Sequence, residues 1–284
     1  MWVRLLGVMM VTTLAIASVG ALGQPASSPT GAAGTWPRET PVASGVPDRA
    51  AGESRARRDG AEPLAGVTIV LDPGHQLGNR NHPKQISRLV PAGGFRKPCN
   101  TVGTSTDEGF PEATFSFKVA QRVAQRLRRQ GAKVRMTRTS NRADRWGPCV
   151  DVRGRAGNKV GADLKVSIHA DGHHAAGARG FHVIAPTKRR GWTDDIHRPS
   201  RRLALDLRRA LRRAGLPDAN YIAGGDGLDF RGDLGTLNLS DVPTVMVELG
   251  NMRHPGDATQ MTSRKGRAIY VRALVRGMRR HLDR

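Results

Sequence analysis

The sequence predicts an α/β fold: a mainly parallel, twisted sheet with helices on both faces, in a single domain. Two observations predict it. Short apolar, β-branched runs alternate with longer segments of helical period along the last two thirds of the chain, the pattern of strand–helix–strand units. Three of those runs also end on a side chain with chemistry of its own. Residues 67–71 lead into Asp72-Pro73-Gly74-His75, residues 164–168 into His169, and residues 244–247 into Glu248. In open α/β sheets the carboxyl ends of the strands are where ligands bind.

Taken in order, the chain of 284 residues opens on a segment with Arg4 as its only charge and an apolar run from 5 to 22. Ala21-Leu22-Gly23 offers the small residues a signal peptidase reads, so residues 1–23 are expected to be an export signal, cleaved before Gln24 or kept as an anchor. Residues 24–64 are rich in Pro, Ser, Gly, Ala and charge without apolar period and read as a disordered linker. The folded domain is expected over 65–284. Its first strand is stopped by Pro73 and Gly74. Residues 76–110 then form a long polar loop, of a length usually tied to function.

A helix follows, with Pro111 suited to its first turn and Glu112 to its positive end. Phe117, Ala120, Val123, Ala124 and Leu127 recur at helical spacing, and Gly131 ends it. The strand at 133–137 completes a unit that implies parallel pairing. Residues 141–160 read as a loop and a short helix, 164–168 and 180–185 as strands. Ser200 is placed to cap a helix carrying Leu203, Leu207, Ala210 and Leu211, closed by Gly215 and Pro217. Residues 218–241 are a Gly- and Asp-rich loop, and 242–247 the last strand. Thr262 or Ser263 opens a terminal helix with Val271, Leu274, Val275, Met278 and Leu282 as its buried stripe.

The two cysteines, Cys99 and Cys149, lie in Pro-containing loop sequence. An even count in an exported chain predicts a disulfide, and closing a loop of about 50 residues contributes roughly 4 kcal/mol in the chain-entropy model. The net charge of +22 favours polyanions: nucleic acid, anionic lipid or acidic wall polymers. Aromatic residues are only 4%, which leaves little to stack bases on and argues against nucleic acid. A monomer is expected.

The strand-end side chains suit a hydrolytic zinc site. Such a site takes three protein ligands, leaves one position for water, and needs a base that is not a ligand. His75, Glu112 and His169 are the candidate metal ligands and Glu248 the candidate base. Asp171 or the polar loops are placed to orient the histidines. Glu108 competes with Glu112 as the carboxylate ligand, and His173 and His174 read as exposed loop residues.

Together these segments resemble the zinc-dependent N-acetylmuramoyl-L-alanine amidases of amidase type 3. The resemblance rests on Ile69-Val70-Leu71-Asp72-Pro73-Gly74-His75, on Glu112 with Ser116, and on residues 131–138. It continues through Val150, Arg153 and Asn158, Ser167-Ile168-His169-Ala170-Asp171, and residues 243–251 ending Glu248-Leu249-Gly250-Asn251. It departs where the family has His-Gly-Gly, here His75-Gln76-Leu77, and where Ser116 replaces a common Asn. The resemblance implies cleavage of the amide between N-acetylmuramic acid and L-alanine in peptidoglycan, Zn2+ as cofactor, a peptidoglycan or muropeptide substrate, and action in the periplasm or wall. A zinc peptidase or deacetylase, and a non-catalytic basic wall- or polyanion-binding protein, are the alternatives. Arg231 and Arg253 are weaker candidates for holding the stem peptide.

Overall fold

In a computed structural model the described residues are 62–283. The expected export signal and nearly all of the linker lie outside them. The elements are β1 (Thr68–Pro73), α1 (Pro83–Ser87), β2 (Leu89–Pro91), β3 (Arg96–Pro98), α2 (Glu112–Arg128), β4 (Lys133–Met136), α3 (Val150–Gly154) and β5 (Leu164–Asp171). They continue with β6 (His182–Pro186), α4 (His197–Arg213), β7 (Leu228–Arg231), α5 (Gly235–Asn238), β8 (Thr244–Asn251), α6 (Pro255–Thr262) and α7 (Arg264–Leu282).

Six strands form one sheet in the order β4-β1-β5-β8-β6-β7. Every pairing is parallel except β6 with β8. The chain passes from β5 to β6 through 172–181 alone, without a helix, and a connection that short does not return a strand parallel to the one it left. From β6 to β7 it crosses through α4, and that pair is parallel.

The two faces of the sheet differ because successive side chains alternate between them. Ile69, Leu71, Val166, Ile168, Val245 and Val247 point to one face and form the main core with Phe115 and Val123 of α2, Leu207 of α4 and Leu274 of α7. The other face carries Asp72, Lys165 and Ser167, all buried. Its cover is the short α3 and α5 and the segment 76–110, with only a small apolar cluster of Ile184, Leu237 and Met246.

Several boundaries differ from the sequence reading. Leu64, placed at the end of the linker, is buried in the main core, and its N–H donates to the Gln130 carbonyl at 2.8 Å. The loop 76–110 contains α1 and the hairpin β2–β3. The cap expected at Ser200 is instead Ile196. Pro199 is tolerated in a first turn, so the helix starts earlier, and the buried Ser200 hydroxyl accepts from Thr244 N–H at 2.9 Å. Residues 218–241 include β7 and α5, and α6 was not foreseen. Ser263 does cap α7, its Oγ accepting from Gly266 N–H at 3.0 Å. Cys99 and Cys149 are disulfide-bonded, tying the long segment to the start of α3.

Candidate active site

The turn after β1 is built to present one imidazole. His75 sits at φ +54°, a left-handed conformation uncommon for a residue with a Cβ. It persists because its surroundings over-determine it. Ser116 Oγ donates to the Gly74 carbonyl at 3.0 Å and Arg138 Nη2 to the same oxygen at 2.9 Å. Arg138 Nε and Arg153 Nη2 hold the Pro73 carbonyl at 3.1 and 3.2 Å. Gly74 itself admits no larger residue, since a Cβ there would lie 2.6 Å from the His169 ring.

Glu112, the first residue of α2, is buried between the two histidines. Its Oε1 is 2.8 Å from His169 Nδ1 and its Oε2 3.1 Å from His75 Nε2. The rings meet edge to face with centroids 4.9 Å apart. Thr104 N–H donates to Glu112 Oε2 at 3.0 Å and Ala170 N–H to Oε1 at 3.3 Å. Burial pushes this carboxyl up, but the two imidazoles, His75 foremost, hold it well below the usual range. Burial draws His169 down, against the pull of Glu112. Gly103, at φ +82°, closes over the group; a Cβ there would lie 2.7 Å from Glu112 Oε2.

Glu248 stands beside His169 in register, because β8 pairs with β5. Both residues lie within their strands, which run on to Asn251 and Asp171. Glu248 is raised well above the usual carboxylate range, by burial first and then by the charges of Glu112 and Asp171. Among the described residues its Oε2 is buried without a hydrogen-bond partner, and so is His169 Nε2. A cavity of about 320 Å³ opens on the group and is lined by His75, Glu112, His169 and Glu248, with Lys97 and Arg153 on its walls.

The donor set fits a metal ion. The ligand atoms of His75, Glu112 and His169 lie within 4.8 Å of one another. His75 Nδ1 is 3.0 Å from the Thr101 carbonyl, which can only accept, so the ring proton belongs on Nδ1. With the proton on Nδ1, the His75 Nε2 lone pair and Glu112 Oε2 are free to serve as neighbouring ligand atoms for one metal ion.

Other candidates lie elsewhere. Glu108 is exposed and outside the group. Asp171 Oδ1 accepts from Gly172 N–H, and the orienting contact to His75 comes from the Thr101 carbonyl instead. His173 and His174 are exposed, with the His173 ring 4.7 Å from Tyr221. Arg231 forks onto Asp233 at 2.9 and 2.8 Å, and Arg253 donates to Asp107 at 2.9 Å. Sequence reasoning missed Arg138, Thr101, Gly103 and Lys165. Arg138 falls within the family-like stretch 131–138, but nothing in its local pattern distinguishes it from the chain's many solvated arginines.

A sheet edge that gathers two imidazoles and a carboxylate beside a second, partnerless carboxylate defines a class: hydrolases that activate water against a carbonyl group. The chain belongs to the N-acetylmuramoyl-L-alanine amidase family, whose Amidase_3 model matches residues 69–280. An N-acetylmuramoyl-L-alanine amidase of Mycobacterium tuberculosis is 42% identical over 218 residues, 76% of this chain and 86% of that protein. The crystal structure of an N-acetylmuramyl-L-alanine amidase of Mycobacterium smegmatis superposes with a TM-score of 0.71 at 38% identity, over 78% of this chain and 98% of that one. The apo form of such an amidase from Mycobacterium abscessus gives 0.71 at 41% identity, over 77% and 100%.

Proposed function

We propose that this amidase is zinc-dependent, that His75, Glu112 and His169 hold the metal, and that Glu248 is its general base. The observation that carries the reading is the buried grouping of His75, Glu112 and His169, whose ligand atoms lie within 4.8 Å of one another. Bound there, zinc would supply Lewis acidity and a more acidic water. The residues of the chain supply the rest. Glu112 stays ionised because the imidazoles offset its burial. Thr101 fixes the His75 ring and its tautomer. Glu248 takes the proton of the attacking water on its partnerless Oε2 and returns it to the L-alanine nitrogen as the amide bond breaks. Its raised proton affinity suits a group that must hold that proton between the two steps. Action outside the cytoplasm, by way of the export signal at 1–23, belongs to the same reading and accords with the disulfide.

The test is Glu248→Gln, assayed with metal analysis and mass spectrometry of digested peptidoglycan. The variant is expected to keep zinc and bind muropeptide while turnover falls by roughly 100-fold or more. Loss of zinc in this variant would make Glu248 a ligand; wild-type turnover would remove it from the mechanism.

A further inference from the structure

At the far end of α2 from Glu112, the surface between α2 and α7 forms a groove of about 660 Å³. Arg126 lies 14 residues along α2 from Glu112, about 21 Å at the helical rise. Five guanidinium groups line the groove, Arg126, Arg272, Arg276, Arg279 and Arg280, against the single carboxylate of Asp283. Arg280 is already committed to Asp206 at 2.9 Å. Among the described residues Arg126, Arg272 and Arg276 have no ion-pair partner, and Arg279 Nε is buried without a hydrogen bond. Helix α7 contains no acidic residue at all.

On α4, Arg208 and Arg212 reach Asp226 and Asp218, while Arg198, Arg202, Arg209 and Arg213 stand without ion pairs among the described residues but do not line a common groove; the five guanidinium groups here converge on one. Like charges four residues apart, as at Arg272 and Arg276, destabilise a helix rather than support it. The helix dipole accounts for cations in the last turn of α7; it does not account for Arg272, two turns earlier, or for Arg126 on another helix. Further along the same seam the Arg267 guanidinium is drawn below its usual range, by desolvation first and then by Arg122.

We infer that the α2–α7 groove is a binding site for a linear polyanion, the phosphate-bearing chain of an anionic wall polymer. Guanidinium groups on successive helical turns present forks that match phosphate oxygens along an extended chain. A membrane surface fits less well. The groove is concave, and none of the exposed large hydrophobic residues, which include Leu89, Trp146, Trp192 and Phe230, lies on α2 or α7, so nothing there inserts among acyl chains. Because α2 and α7 cover the apolar face of the sheet, a polymer held in the groove leaves the histidine pocket open to a peptide. The groove would thus hold the enzyme on the wall while the pocket works. The choice of a wall polymer rests on the wall-acting reading above, but the binding needs no turnover, so its test is separate from that of the amidase site.

The test uses the full chain and short inorganic polyphosphate, titrated at several salt concentrations. The groove variant carries Arg126→Gln, Arg272→Gln and Arg276→Gln. A charge-matched control carries Arg190→Gln, Arg198→Gln and Arg202→Gln, all exposed. The groove variant is expected to bind about tenfold more weakly or worse, with the log–log salt slope reduced by roughly two to three units, and the control to stay within about twofold. Turnover of a soluble muropeptide and the melting temperature of the groove variant should equal those of the wild type, which separates a lost site from a lost fold. Equal weakening in both variants would reduce the effect to bulk charge and overturn the inference. So would binding of vesicles rich in anionic phospholipid in preference to polyphosphate.

Discussion

The two faces of the central sheet are made by the same strands and solve opposite problems. On β5, Leu164, Val166 and Ile168 enter the main core beneath α2, α4 and α7. Their immediate neighbours Lys165, Ser167 and His169 are just as buried, under short helices and loop. The first face needs only apolar volume, and long amphipathic helices provide it. The second must satisfy every polar atom it buries, because an unpaired one is costly. Asp72 accepts from Thr137 Oγ1 at 2.6 Å, Arg153 Nε at 2.7 Å and Ser167 Oγ at 2.7 Å. Lys165 Nζ donates to the carbonyls of Arg153, Gly154 and Thr236 at 3.2, 2.6 and 2.7 Å. These contacts satisfy the buried charges nearest the turn after β1. Among the described residues, His169 Nε2 and Glu248 Oε2 remain without partners at the end of that face, where the proposed site lies. One face stabilises the sheet, and the other positions a site on it.

The largest effect that tests this contrast is His169→Ala. It should abolish zinc binding and amidase activity while the apolar face keeps the fold, read by metal analysis beside a thermal melt. Full zinc occupancy would take His169 out of the ligand set. Next is Asp72→Ala against Leu71→Ala, adjacent residues on opposite faces. Asp72→Ala strands Arg153 and Lys165 inside the protein and is expected to cost about 3–5 kcal/mol. Leu71→Ala leaves a cavity and is expected to cost about 2–5 kcal/mol. The two are to be told apart by function, in that the first should also lower activity by loosening the Pro73–Gly74 turn that Arg153 holds. Equal activity in the two variants at matched stability would mean that the charged face does not position the site.

Acid titration of the wild type gives a smaller, directional effect. Burial raises the Asp72 carboxyl, but Arg153, Lys165 and Thr137 outweigh it and hold it down to about 2, against an ordinary 3.8. A depressed folded value means stability that is fully present above the ordinary value and lost as pH falls through about 2. The contribution is about 2 kcal/mol, measured as the shift of denaturant midpoint between pH 5 and pH 2, and Asp72→Asn should flatten that part of the profile.

The same contrast decides what was legible in the sequence. Ile69, Leu71, Val166 and Val245 declare their face by alternation and β-branching, so the parallel strands and the helices over them could be read directly. His169 and Glu248 stood out because each follows an apolar run directly, and His75 because it follows the Asp72-Pro73-Gly74 stop of one. Lys165 interrupts such a run, yet its partners are backbone carbonyls from α3 and α5, distant in sequence, and no local pattern points to them. Arg138 and Thr101 escaped for the same reason: their work is done through main-chain atoms of a turn elsewhere in the chain. The antiparallel β6 and the helix α6 depend on tertiary placement. The pairing of Cys99 with Cys149 needed only a count of two.

A further adjacent pair separates the two faces most cleanly. Ser167→Ala removes a hydroxyl donor from the ionised Asp72 and is expected to cost about 1.5–3 kcal/mol, the usual range for a hydrogen bond to a charge. Ile168→Val removes one methylene from the opposite core and is expected to cost about 0.5–1.5 kcal/mol. Magnitude alone would not distinguish a polar face from an apolar one, since the ranges meet at about 1.5 kcal/mol. Their pH dependence does. Without Ser167 the folded Asp72 carboxyl rises toward its ordinary value, so the penalty is full above about pH 4 and shrinks as pH falls and Asp72 takes up its proton. Ile168 enters the apolar core, and its penalty should be flat over the same range. Denaturant unfolding of both variants at pH 7, 4 and 2.5 reads the difference. A flat penalty for Ser167→Ala would mean that the hydroxyl contributes by packing alone, and that Asp72 is held by Arg153 and Thr137 without it.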